Sequence, residues 1–323
     1  MVSSAGRMRD VQGTILEGAA GSDPSAGGAA VPTRLVARQV SQFLFTRARR
    51  WEHVTGLEVL PAFIFEVVLG ATMQHQPYRA GADGEWIPLR MGATLGRPVS
   101  RMAIAGSMGI PMTTVRRQVD DLISAGFLER RVGPLKVADA FFLDPRLEAF
   151  ARDDVAALAD MLRLLARAGY APAQHCWPAD FDKVPAGVLE RLLLVFTLRV
   201  FETFTVQNGG LVPSLIVAAI NMINIHAITD DPVLAARYAG DDTLPPDDVR
   251  VPVSVRTLAQ HIEFPFETTR RHVAALERAG TVVRRKNGVI VPGDVLRNPV
   301  HLENIHRITG HLVNMLNIVA GWR

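Results

Sequence analysis

The sequence predicts a mainly α-helical protein with two small β-hairpins, built from one unit used twice in tandem. Three observations carry that reading. Shifted by 154 positions, the chain matches itself: Pro98–Arg131 lies on Pro252–Arg285 without a gap, and 14 of the 34 positions are identical. Both copies hold the pattern T-x-R-R-x-V-x-x-L, at Thr114–Leu122 and Thr268–Leu276, followed by Ala125-Gly126 and Ala279-Gly280. Around each copy, apolar residues recur at helical spacing and do not alternate as in a strand. Self-similarity of this kind decides the architecture before any single element is assigned.

Composition bounds the class. With 323 residues, 48% of them hydrophobic, the chain exceeds one average domain and buries sizeable cores. Charged residues make up 21% and no long low-complexity run occurs, which excludes a wholly disordered protein. The net charge of +3 excludes a polycation, yet the cations are almost all arginine, since Lys136, Lys183 and Lys286 are the only lysines. A lone cysteine, Cys176, excludes an internal disulfide framework and fits a reducing cytoplasm. Beside His175 and Trp177 it reads as an incidental thiol. Residues 1–33 are rich in Gly, Ala and Ser and lack the apolar core of an export signal, so they read as a disordered tail.

Taken in order, the first copy spans 34–170 and the second 188–323, joined by a Pro-containing linker at 171–187. Leu35, Val36, Val40, Phe43, Leu44 and Trp51 predict an amphipathic helix, as do Leu189, Leu192, Phe196, Val200 and Phe204 in the second copy. A strongly apolar helix follows each, at Pro61–Met73 and Pro213–His226. A last helix closes each copy, at Leu147–Ala168 and Leu302–Ala320, where Met161-Leu162 matches Met315-Leu316 at the same offset of 154. The loop Thr229–Arg250 carries six aspartates and three prolines, and its glycine-rich counterpart is Gln76–Arg97.

The matched segment reads as a helix-turn-helix. Ser100 suits the N-cap of a short positioning helix, Gly109-Ile110-Pro111 the turn, and Val115, Val119 and Leu122 the inner stripe of a second helix stopped by Gly126. That leaves Met112, Thr113, Arg116, Arg117 and Asp120 outside. In the second copy Ser254 is the cap, Glu263-Phe264-Pro265 the turn, and Thr269, Val273 and Leu276 the inner stripe. Phe266, Glu267, Arg270, Arg271 and Ala274 face out, and Gly280 is the stop. The N-terminal part of such a second helix meets base edges in the major groove, where arginine bonds guanine in bidentate fashion. Thr114 and Thr268 suit phosphate contacts that set register.

A candidate hairpin follows each helix. Phe127–Arg131 and Lys136–Phe142 flank the first turn, and Thr281–Lys286 and Val289–Val291 flank Asn287-Gly288. Arg130, Arg131, Arg284, Arg285 and Lys286 fall on these arms, where cations reach phosphate. The whole pattern resembles the winged helix-turn-helix of bacterial regulators of the MarR, GntR and IclR kind, at 98–143 and 252–292. The resemblance covers about 45 residues per copy and implies a transcriptional regulator of double-stranded DNA. It also implies flanking helices that build a dimer interface, here a pseudo-twofold one within a single chain, and a small effector between helical core and DNA-binding lobe. Further association into a homodimer stays open.

Rival readings are decided by their residues. Thr203–Thr229 holds no Asp, Glu, Lys or Arg and is long enough to span a bilayer. Its Gln207-Asn208-Gly209-Gly210 and Asn221, Asn224 and His226 are costly in hydrocarbon, so it reads as a buried core helix with no membrane partner. Asn221, Asn224, His226, His311, Asn314 and Asn317 would line a polar pocket or a metal site if they converged; they read instead as buried amides and imidazoles satisfying one another across the interface between the copies. His301, His306 and His311 are five apart, which does not stack metal ligands on one helix face, so no metal and no cofactor are expected. No phosphate loop, nucleophile elbow or carboxylate pair argues for an enzyme. A winged-helix protein-interaction scaffold, or a membrane-tethered regulator using the uncharged stretch, is the alternative, and exposed arginines on the recognition face favour DNA over the scaffold. The copies are unequal, because Asp120-Asp121 in the first becomes Ala274-Ala275 in the second. Two different half-sites follow, with tighter backbone binding by the second copy.

Overall fold

The computed structural model describes residues 32–79, 87–130, 134–172 and 181–320. The tail at 1–31, Arg131, Cys176 and most of the linker lie outside the described residues. The chain is mainly helical with a few short strands. Ten helices among the described residues have eight or more residues: α1 (Thr33–Thr55), α2 (Val59–Met73), α3 (Arg101–Met108), α4 (Met112–Ser124), α5 (Pro145–Arg167), α6 (Ala186–Asn208), α7 (Leu211–Asn224), α8 (Val255–Ile262), α9 (Phe266–Arg278) and α10 (Pro299–Ala320). Two antiparallel hairpins, β1 (Leu128–Arg130) with β2 (Leu135–Val137) and β3 (Val283–Arg285) with β4 (Gly288–Ile290), follow α4 and α9. The order helix, helix, short helix, helix, hairpin, helix thus occurs over 33–167 and again over 186–320.

Four long helices pack together. α1 lies against α5 and α10, and α6 lies against the same two. Their apolar stripes share one core that includes Val36, Val40, Phe43, Leu162, Leu192, Leu312 and Leu316. A second core joins α2, α3, α4 and the β1–β2 hairpin, and a third joins α7, α8, α9 and the β3–β4 hairpin. The uncharged stretch from Thr203 to Thr229 is divided by Gly209 (φ +73°) and Gly210 (φ +142°), so α6 and α7 meet at 98°. No single helix among the described residues is long and apolar enough to cross a membrane.

Both hairpins are shorter than expected. The first has strands of three residues, because Asp139–Phe142 turns into a helical loop that buries Phe141 and Phe142. In the second, Gly288 belongs to the strand, paired with Arg285, and the turn is Lys286-Asn287. A Cβ at Gly288 would lie 2.2 Å from the Val253 carbonyl oxygen, since the Val253–Val289 bridge draws the segment before α8 against the hairpin. The glycine is set by that approach, not by the turn.

Charge is buried where α1 meets α2, α5 and α6. Arg47 is 1% exposed; its guanidinium bonds Glu66 and Glu190 (Nη2–Oε1, 2.6 Å) and forms an ion pair with Asp154 (Nε–Oδ2, 2.8 Å). Arg50 reaches Asp154 as well. Burial alone would lower the pKa of Arg47, but the three carboxylates outweigh it and hold it well above its usual value. Burial pushes the Glu190 carboxyl up to about 8; Arg47 opposes this and Asp154 adds to it. The folded carboxyl therefore keeps its proton where the unfolded one, near 4.5, has lost it. Stability contributed by this group is full below that lower value and falls as pH rises towards 8. Glu190→Gln should flatten the stability–pH profile across this window in urea titrations; an unchanged slope would remove Glu190 as its source.

Candidate nucleic-acid interface

Both self-matching segments carry the caps, buried stripes and stops that their residue types predict. Ser100 Oγ accepts the Ala103 N–H at 3.1 Å and Ser254 Oγ accepts the Thr257 N–H at 3.0 Å, capping α3 and α8. Val115, Val119 and Leu122 are buried beneath α4, and Thr269, Val273 and Leu276 beneath α9. Gly126 (φ +80°) and Gly280 (φ +73°) stop the two helices in the left-handed region.

The turns differ. Gly109 ends α3 at φ +60°, whereas Glu263 ends α8 at φ +55° and is the one non-glycine with positive φ among the described residues. Its carboxyl faces that of Glu52, and this neighbour, with burial, raises Glu52 to about 6. Left-handed backbone costs a residue with a Cβ on the order of 1–2 kcal/mol. Glu263→Gly should therefore stabilise the protein by about 1 kcal/mol in urea denaturation. A loss of stability would mean that contacts of the Glu263 side chain outweigh the strain.

The predicted contact residues fall on exposed surface. Arg116, Arg117, Arg270 and Arg271 are exposed, as are Thr113, Arg130, Arg284, Arg285 and Lys286; Thr114 and Thr268 are half-buried at the starts of α4 and α9. Arg116, Arg117, Arg271 and Lys286 make no ion pair among the described residues. The others are engaged: Arg270 pairs with Glu267 at 2.9 Å and Arg284 with Glu277 at 2.8 Å. Arg285 lies 3.6 Å from Asp247. Such exposed pairs contribute about 0–1 kcal/mol each, so a phosphate can displace them.

The structure also brings in residues that periodicity had not marked. In the first copy Arg101 and Arg130 both bond Asp120, at 2.7 and 2.6 Å, so one outward carboxylate neutralises two cations. In the second copy alanine stands in its place. Arg278 joins Thr268, Arg270 and Arg271 along a shallow groove on α9, and Arg256 of α8 lies 5.8 Å from the exposed Phe266 ring. The second face is thus richer in available positive charge. Arg278 could have been found from sequence, seven residues after Arg271 and hence on the same helix face.

Of the polar residues of the apolar helices, Asn221 and His226 line one cavity, and the others are placed apart from it. Asn224 is buried and bonds backbone instead of another amide. It donates to the carbonyls of Val251 and Val289 at 2.7 and 3.3 Å and accepts the Val291 N–H at 3.0 Å, tying α7 to the second hairpin. His311 bonds Thr203 at 3.2 Å, while Asn314 and Asn317 are exposed. A pairing of these groups with one another is therefore corrected: the backbone takes up Asn224, because a hairpin edge presents fixed donors and acceptors. Among the described residues, no group of three or more His, Cys, Asp or Glu is placed to hold a metal ion. Set against family models, curated proteins and solved structures, the chain matches none of them.

Proposed function

We propose that this protein is a sequence-specific, double-stranded-DNA-binding transcriptional regulator. Each half supplies one winged helix-turn-helix unit, and the two act as a pseudo-twofold dimer within a single chain. The observation that carries this reading is the pair of equivalent exposed arginine dipeptides, Arg116-Arg117 on α4 and Arg270-Arg271 on α9. Each lies in the N-terminal half of a helix that a capped short helix precedes and a basic hairpin follows. A guanidinium in that position reads guanine at about 1–3 kcal/mol of discrimination per bidentate contact. The hairpin cations Arg130, Arg284, Arg285 and Lys286 add phosphate contacts that do not depend on sequence.

The two half-sites are unequal on this reading. Asp120 opposes phosphate beside the first helix, whereas Arg256 and Arg278 reinforce the second. The protein acts in the cytoplasm and catalyses nothing. Binding to fragmented genomic DNA, with sequencing of the retained fragments, tests the proposal. Wild type should enrich a two-part site and Arg270→Ala/Arg271→Ala should not. Equal recovery of the site by both proteins would remove Arg270 and Arg271 from base reading, and enrichment by neither would favour a winged-helix scaffold that binds protein instead.

A further inference from the structure

The two copies differ most at one place, between the four-helix layer and the neighbouring lobe. In the first copy that place is full. Trp51, Phe65 and Phe141 pack there, with ring centroids 6.1 Å apart for Trp51–Phe65 and 4.7 Å for Phe65–Phe141. The Arg47–Glu66–Asp154–Glu190 ion cluster occupies the space beside them. The matching positions of the second copy follow from the alignment of helix ends. Phe204 stands for Trp51, Val217 for Phe65, Val295 for Phe141, Ala218 for Glu66, and Ala37, across the pseudo-twofold, for Glu190. Two phenylalanines have become valines and two buried glutamates have become alanines. All five replacements line a cavity of about 470 Å³.

A cavity of that size lies within the range of small-molecule sites, roughly 300–1,000 Å³. Its walls are mostly apolar, but their charges are lopsided: Arg34, Arg38, Arg49 and Arg250 face it, and Asp230 is the single carboxylate among the lining residues. Arg34 and Arg250 are committed elsewhere. Arg34 donates to the carbonyls of Asp241 and Leu296 and has the Asp241 and Asp242 carboxylates beside it, and Arg250 donates to Pro245 and lies 3.5 Å from Asp247. Arg38 differs. It donates to the carbonyls of Tyr238 at 2.6 Å and Ala235 at 2.9 Å, its Nε is buried without a hydrogen-bond partner, and no carboxylate pairs with it among the described residues. Burial and the neighbouring Arg34 lower it to about 10, the mark of a cation without a counter-ion. His301, half-buried beside Arg34 and lowered to about 4, is neutral at ordinary pH and adds no charge.

We propose that this cavity is a binding site, one per chain, for a small amphipathic anion: an apolar ring system or chain bearing a single anionic headgroup that meets Arg38. The apolar wall supplies affinity and the uncompensated guanidinium selects charge. The first copy has no such site because aromatic rings and the ion cluster fill it. Binding of this anion stands apart from DNA recognition.

A matched pair of fluorescent probes tests it on the full chain. 1-Anilinonaphthalene-8-sulfonate carries an anion on an apolar body, and N-phenyl-1-naphthylamine is the same skeleton without it. The sulfonate probe should saturate at one molecule per chain. Arg38→Gln should weaken it by about tenfold or more and change the neutral probe by less than about twofold. Val217→Phe/Val295→Phe restores the side chains of the first copy and should abolish binding of both probes while the circular dichroism of the fold is kept. Unsaturable binding, more than one site, equal losses of both probes in Arg38→Gln, or retained binding in the folded Phe variant would overturn the proposal. Should the Phe variant not fold, the Arg38→Gln titrations decide alone.

Discussion

Arg47→Leu should lower the unfolding free energy by about 3–5 kcal/mol, the largest loss expected from any single substitution in the four-helix layer. The guanidinium holds three carboxyl groups that are each 6% exposed or less at the side chain. Removing it leaves Glu66 buried without its partner and Asp154 with Arg50 alone. Much of the cost belongs to the orphaned carboxylate, not to the broken bond. Arg47→Leu/Glu66→Leu should therefore be more stable than Arg47→Leu by more than about 1 kcal/mol in denaturant titrations. If the double variant falls at or below the single one, the cluster does not act by charge compensation.

On the DNA side, Arg271→Ala should cost about 1–3 kcal/mol on the selected site, roughly 5–150-fold in affinity, and far less on unrelated duplex. Equal losses on both DNAs would sink a base-reading role. Arg284→Ala/Arg285→Ala should act differently, weakening binding to both DNAs alike. It should also reduce the slope of log affinity against log salt by about 2, one for each phosphate no longer neutralised. Glu277 and Asp247 face these arginines in the free protein, so part of the missing attraction is regained and the affinity change stays smaller than the slope change suggests. An unchanged slope would take the β3–β4 hairpin out of the interface.

Local physics was legible from residue types alone. Ser100 and Ser254 cap their helices, Gly126 and Gly280 stop theirs, and the stripes under α4 and α9 point inward as their spacing requires. Each of these outcomes depends on neighbours within four residues. Gly288 escapes that local logic, because its partner is Val253, 35 positions away. So does Asn224, expected to pair with other side chains but served by the backbone of the second hairpin. Periodicity showed that α1 and α6 each have an apolar face; it did not reveal that Arg47 on one and Glu190 on the other meet across 143 residues.

The sequence by itself determined the element order, the caps and stops, and the outward arginines of two equivalent helices, because capping bonds and helical spacing act within a turn or two. Only the tertiary structure decided that one copy closes over an ion cluster and aromatic rings while the other leaves a cavity beside Arg38. That difference is a matter of volumes and charges brought together from α1, α2, α5, α6 and α7. No local pattern encodes which faces meet, since a helix period shows where a side chain points and not what stands opposite it.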